Sequence, residues 1–270
     1  MSRSVQSVQS AQWASKLGLG LSLLLFVFGL GLYFHVPLAQ DQWIWPKKTG
    51  ALGFSFLGAW FAGGVAPLIW SGLFRKYSPL RALSFAGLIA TGGSAGFLYS
   101  KHAILGNERY LPFSIIFLIG FIGIIYVFIK SKRGSLPGDN PVSPVIRWAF
   151  LAFSILLFYF GLQLILNKPF VFPIPLSNDM QDIYGWFFLG SFAYFLYGAW
   201  KPSRFNAIGP MLSFLVYDLL LIPPYLNYAM TVPADYRVSL ILYLSVLFAS
   251  ALFCIYYLFF DARTKLFKQT

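Results

Sequence analysis

Eight runs of mainly apolar residues follow one another along the chain, divided by short stretches rich in Pro, Gly, Lys, Arg, Asp and Asn. They cover approximately Leu17–Leu38, Gly50–Leu73, Ala82–Ser100, Tyr110–Ile129, Ile146–Asn167, Ile183–Trp200, Asn206–Leu226 and Val238–Phe260. A helix crossing a bilayer needs about 20 such residues. The pattern therefore predicts an all-α integral membrane protein with about eight transmembrane helices. Trp43, Trp45, Trp70, Trp148, Trp186 and Trp200 fall near the predicted helix ends. An interfacial belt is expected there, because an indole has an apolar body and one N–H that prefers water.

Composition removes the soluble alternatives. Hydrophobic residues make up 58% of the 270 and charged residues 10%, against about 25% charged in a soluble domain. The single cysteine, Cys254, excludes a disulfide framework and a Cys-based metal site. A net charge of +12 would invite nucleic acid, but the basic residues sit in short loops and form no continuous face. Their placement instead sets orientation. With a cytoplasmic N-terminus, 14 Lys and Arg lie inside and 6 outside, so both termini are expected in the cytoplasm. The basic runs Arg75–Arg81 and Lys130–Arg133 are expected to serve topology and to contact anionic lipid. The first apolar run exceeds the usual span of a signal-peptide core, and a cut after Ala39 would place Pro37 where a small residue belongs. It reads as a retained helix.

The chain also matches itself. Ser22–Pro37 and Ser154–Pro169 share nine of 16 positions at an offset of 132 residues, Phe28 with Phe160 and Gly29 with Gly161 among them. The same offset carries Gly53, Phe56, Leu57 and Gly58 onto Gly185, Phe188, Leu189 and Gly190. Leu83–Phe85 meets Leu212–Phe214 after a three-residue shift. Leu/Phe-rich helices match by chance in part; glycine and proline in register across a loop do so less readily. Four spans separate matching points, so two parallel-oriented four-helix repeats are expected. The resulting division is a tail (1–16), a first repeat (17–130), a linker (131–145), a second repeat (146–260) and a C-terminal tail (261–270). In each repeat a Pro- and aromatic-rich loop, Pro37–Pro46 or Pro169–Tyr184, joins the first two helices outside. This loop followed by a Gly-rich span resembles bacterial membrane proteins. That resemblance implies a bacterial-type plasma (inner) membrane and no particular activity.

The third run carries Ala86, Ala90, Ser94 and a Gly92–Gly96 pair, small residues that let helix backbones approach closely. They mark either a gliding helix or a tightly packed central one, and the second is the commoner case. Pro67 and Pro210 are expected to bend or locally open their helices.

Ionisable groups inside a membrane are costly, so each needs a reason. Asp218 alone lies near the middle of a run, with Tyr217 beside it. Its counterpart near Ile89 is apolar, so it breaks the internal match. It is either a proton- or cation-binding carboxylate in a central cavity or a neutral, hydrogen-bonded acid joining helices, with Gln163 as one partner. His35 and His102 both fall at outer helix ends, where two imidazoles can hold haem and where histidine also sits with no ligand at all. Asp41, Asp179 and Asp182 can gather a cation or a basic partner, or simply solvate their loops. Metalloprotease, nucleophile-elbow and phosphate-loop motifs are absent.

Three functional expectations follow. The preferred one is a non-catalytic accessory, scaffold or assembly subunit, since so few polar groups remain to line a hydrophilic path. The second is a small secondary transporter coupled to protons or cations through Asp218. The third is a lipid-acting enzyme or a haem protein using His35 and His102. No cofactor beyond haem, no metal and no nucleic acid is called for. The expected partners are the bilayer, anionic lipid at the cytoplasmic face and other membrane subunits.

Overall fold

A computed structural model describes residue 20 and residues 22–74, 79–130 and 140–266. The expected tail 1–16, the basic residues Arg75, Lys76, Lys132 and Arg133, most of the linker and Lys268 lie outside the described residues. Among the described residues the chain is helical, with no strand and one isolated bridge between Pro141 and Ser203.

The helices are α1 (Ser22–Tyr33), α2 (Pro37–Asp41), α3 (Ala51–Phe74), α4 (Pro79–Leu105), α5 (Tyr110–Lys130), α6 (Pro144–Ile165), α7 (Asn178–Trp200), α8 (Arg204–Tyr228) and α9 (Arg237–Ile255). A 3-10 turn at Ala234–Tyr236 leads into α9, and a π turn at Tyr256–Phe260 ends it. Six are long and apolar enough to cross a membrane: α3, α4, α5, α6, α8 and the run Ala234–Phe260. The protein is thus an integral membrane protein of the helical, multi-pass kind. α7 has the length but opens on Asn178, Asp179, Gln181 and Asp182, which lowers its apolarity. The described part of α1 is shorter than a bilayer is thick.

α1 packs on α3, α6 on α7, α4 on α5 and α8 on α9. These pairs are joined across the molecule by α3 against α8 and α4 against α7, with α4 and α8 also touching. Glycine sets the closest approaches. A Cβ on Gly29 would lie 3.1 Å from the Gly58 carbonyl oxygen, and one on Gly161 would lie 3.0 Å from that of Gly185. A Cβ on Gly63 of α3 would come within 2.7 Å of the Ser213 carbonyl of α8, and one on Gly190 of α7 within 2.8 Å of the Ala86 carbonyl of α4. No side chain would fit at these crossings without parting the helices.

α1 and α6 end identically. His35 (φ 57°) and Asn167 (φ 52°), 132 positions apart, are both left-handed. The amide of Val36 donates to Gly31 O and that of His35 to Leu32 O; Lys168 and Asn167 donate likewise to Gln163 O and Leu164 O. Both are complete Schellman caps, and each is followed at once by the matched Pro37 or Pro169, which cannot continue a helix.

Trp148 and Trp200 are 70% and 69% exposed, whereas the interfacial-belt expectation needs correction for three others. Trp43 and Trp45 are buried in the core because the loop Gln42–Gly50 folds inward over α3, α5 and α7, and Trp70 is buried where the end of α3 packs on Phe205 of α8. Trp186 packs against Gly93 of α4, which has no side chain to oppose it. Pro67, and Pro210 with Pro223 and Pro224, lie inside helices that run on through them.

Candidate functional site

Asp218 stands on α8 with no exposure to solvent. Its Oδ2 lies 2.6 Å from Ser250 Oγ on α9. That same Oγ lies 2.8 Å from the Val246 carbonyl oxygen. A hydroxyl has one proton to give, so two complete arrangements exist. With a neutral carboxyl, Asp218 donates to Ser250 and Ser250 donates to Val246 O. With a carboxylate, Ser250 turns and donates to Oδ2. Ser250 therefore serves the acid in either protonation state. Asp218 Oδ1 has no hydrogen-bond partner in the protein, which is unusual for a buried carboxyl oxygen.

The acid lines a cavity of about 1000 Å³ that reaches both halves of the chain. Its wall is aromatic. Phe56 of α3 lies parallel to Phe188 of α7 (5.9 Å between ring centres, 25° between planes) and meets Tyr217 of α8 edge-on at 5.9 Å. Phe214, one helical turn before Asp218, continues the wall 5.9 Å from Tyr217. The Tyr217 and Tyr243 hydroxyls lie 2.6 Å apart. One of them donates to the other, which leaves the second proton free for another acceptor.

Tyr217 and Asp218 both line this cavity. Gln163 does not: the structure gives Asp218 Ser250 as its partner, and Gln163 is absent from the cavity lining. The Gln163 backbone carbonyl is engaged in the α6 cap. Ser250 and Tyr243 were not legible, since one serine and one tyrosine within an apolar run are ordinary. Cys254 lies one turn beyond Ser250, buried and unpaired.

The acids Asp41, Asp179 and Asp182 divide. Asp179 forms an ion pair with Lys101 (2.9 Å) and accepts the Tyr110 hydroxyl (2.9 Å), and Trp45 Nε1 donates to that phenol at 3.4 Å. This chain ties α4, α5, α7 and the first loop together. Burial pushes Asp182 up to about 6, against the Lys101 ammonium and the Asn167 amide, which draw it down. Asp41 is exposed at the end of α2, apart from that network. His35 Nε2 lies 2.9 Å from Ala51 O, and His102 Nδ1 lies 3.1 Å from Asn107 O. The two rings thus serve separate helix ends. Among the described residues no three His, Cys, Asp or Glu converge on a metal position.

Comparison with known proteins finds no match: no family model, no curated protein and no solved structure aligns with this chain.

Proposed function

We propose that this protein is a small secondary carrier of a bacterial-type plasma membrane, with Asp218 as its proton site in a cavity between two parallel four-helix halves. The observation that carries the reading is the Asp218 carboxyl itself. It is buried mid-helix in the lining of the cavity, has one oxygen without a hydrogen-bond partner in the protein, and has a serine able to satisfy the other in both protonation states. The unpartnered oxygen supports a role beyond joining helices, since buried carboxyl oxygens are mostly engaged.

The duplication supports the same reading. Matching α1 with α6, α3 with α7, α4 with α8 and α5 with α9 exchanges the contact α3–α8 with α4–α7. It also superposes the two Schellman caps. Eight crossings with both termini cytoplasmic then follow from the charge bias, with α1 and α7 as the two crossings that packing stabilises more than apolarity does. Asp218 breaks that near-symmetry, since its counterpart in the internal match, near Ile89, is apolar.

The alternative is an accessory or assembly subunit whose acid only joins helices. One experiment separates the two. The purified protein is reconstituted in vesicles that enclose a pH-sensitive dye, a pH gradient is imposed, and sodium, potassium, organic acids and organic cations are added in turn. The carrier reading expects one class to move protons with the wild type and none to do so with Asp218→Asn at equal protein content. Flux in Asp218→Asn equal to the wild type overturns it. Inactivity toward every class, together with stoichiometric copurification of another membrane protein, establishes the accessory reading.

A further inference from the structure

We propose that the cavity takes a lipophilic organic cation, seated on the aromatic wall and paired with Asp218 in exchange for its proton. This rests on the carrier reading for its transport consequence, but not for the binding itself.

The chemistry of the wall narrows the occupant. Most of the lining is apolar, so a sugar, an amino acid or a hydrated metal ion would leave its polar groups unpaired there. A volume of about 1000 Å³ admits a drug-sized body. The cavity's one ionisable carboxyl is Asp218; the other polar groups of the lining are neutral, the Tyr217 and Tyr243 hydroxyls, Gln42, Thr91 and several serines among them. An anionic ligand would meet that carboxyl with the wrong sign. A neutral apolar ligand would bury Oδ1 still further and satisfy nothing. A cation with an apolar or aromatic body does both: it balances the carboxylate and lays its charge over ring faces. Phe188, Phe214 and Tyr217 line the cavity with the acid, and Phe56 and Trp60, each stacked on a further ring, back them. Ring faces attract a cation within about 6 Å, and more strongly once water is excluded.

Charge balance then dictates an exchange. An empty, water-poor cavity is least costly with Asp218 neutral, its O–H donated to Ser250 Oγ. An occupied one is least costly with a carboxylate beside the cation. Binding therefore breaks the Asp218 O–H bond and releases that proton to solvent. Ser250 turns from Val246 O to Oδ2, and Oδ1 meets the cation. No net charge enters the membrane in either state.

The test is equilibrium binding of tetraphenylphosphonium to the full chain in detergent, read by quenching of tryptophan fluorescence, with proton release measured in weak buffer. The wild type is expected to release about one proton for each cation bound and to bind more tightly as pH rises. Asp218→Asn is expected to bind about 100-fold more weakly and to release none. Ser250→Ala retains the carboxylate and is expected to bind, with altered pH dependence. It guards against a folding defect in the first variant. Neutral triphenylphosphine oxide is the comparison ligand. The proposal is overturned if it binds as tightly as the cation, or if Asp218→Asn binds and releases protons like the wild type. Cation binding with proton release but no flux in vesicles would overturn the carrier reading alone. Asp218-dependent flux of another class, without cation binding, would overturn this proposal alone.

Discussion

Two acids define the residue scale, and their surroundings give them different work. Asp218 is held where water does not reach, and Ser250 supplies whichever hydrogen bond its protonation state needs. Asp182 stands at the mouth of α7, and its elevation to about 6 has burial as its chief cause. The sign of the pH effect follows. The folded value lies above the ordinary one of 3.8, so the folded state holds this proton more firmly than the unfolded chain does. Its contribution to stability is complete below about pH 4 and is lost as pH rises through about 6. Thermal unfolding in detergent should therefore show a midpoint that falls over that window, and Asp182→Asn should flatten it. A slope unchanged in that variant would assign the pH dependence elsewhere. Asp218 was legible in the sequence because a charge in an apolar run stands out against its neighbours. Ser250 was not, because the pairing depends on how α8 and α9 are rotated, and no single-chain pattern records that. The Gln163 pairing failed for the same reason. A residue's depth in its helix can be counted, but its facing direction cannot.

At the scale of elements, glycine sets how the helices meet, and the contrast within α4 is sharp. A Cβ on Gly93 would strike the Trp186 indole, whereas one on Gly96 would meet nothing within 4 Å. Gly93→Ala should destabilise the protein by about 1–3 kcal/mol through overpacking, while Gly96→Ala should be neutral or gain slightly from helix propensity. Equal effects in a denaturant or thermal series would refute the packing. The sequence had singled out Gly92 and Gly96 by spacing, yet Gly93 carries the tighter contact. Spacing identifies a small-residue helix, and the partner's side chains decide which glycine matters. Helix positions were readable to within a few residues because length and apolarity suffice for that. The mutual register of helices was less so. Gly29 packs at Gly58, but its counterpart Gly161 packs at Gly185, which matches Gly53. The same two helices have thus slid by about one turn in the second pair. The buried Trp43 and Trp45 belong to this scale too, since the path of a folded loop turns an expected interfacial indole into a core one.

Taken whole, the described helices meet along α3–α8 and α4–α7, and a mostly apolar cavity with Asp218 as its acid reaches both sides of that contact. On the proposed carrier reading, a single buried acid sets a definite stoichiometry. One acid can carry one proton, so any exchange through it is one for one and electrically silent when the partner is singly charged. A membrane voltage alone should leave such a cycle unmoved, whereas a pH gradient should drive it. The outer network of Trp45, Tyr110, Asp179 and Lys101 fastens both loops' ends to α4 and α5. If the two halves move relative to each other, that clasp must yield or travel with one of them.

The lone thiol offers a way to time such movement. Cys254 is the chain's single cysteine and lies one helical turn from Ser250, 2% exposed. A thiol so placed meets a reagent only when the α8–α9 seam parts. Its rate of alkylation by a small neutral maleimide is therefore a stopwatch for opening, built into the natural protein with no label to add. In a resting protein the reaction should be slow. An occupant wedged beside Asp218 should change its pace, whereas alkylation as fast as in the denatured chain would mean the seam is never closed.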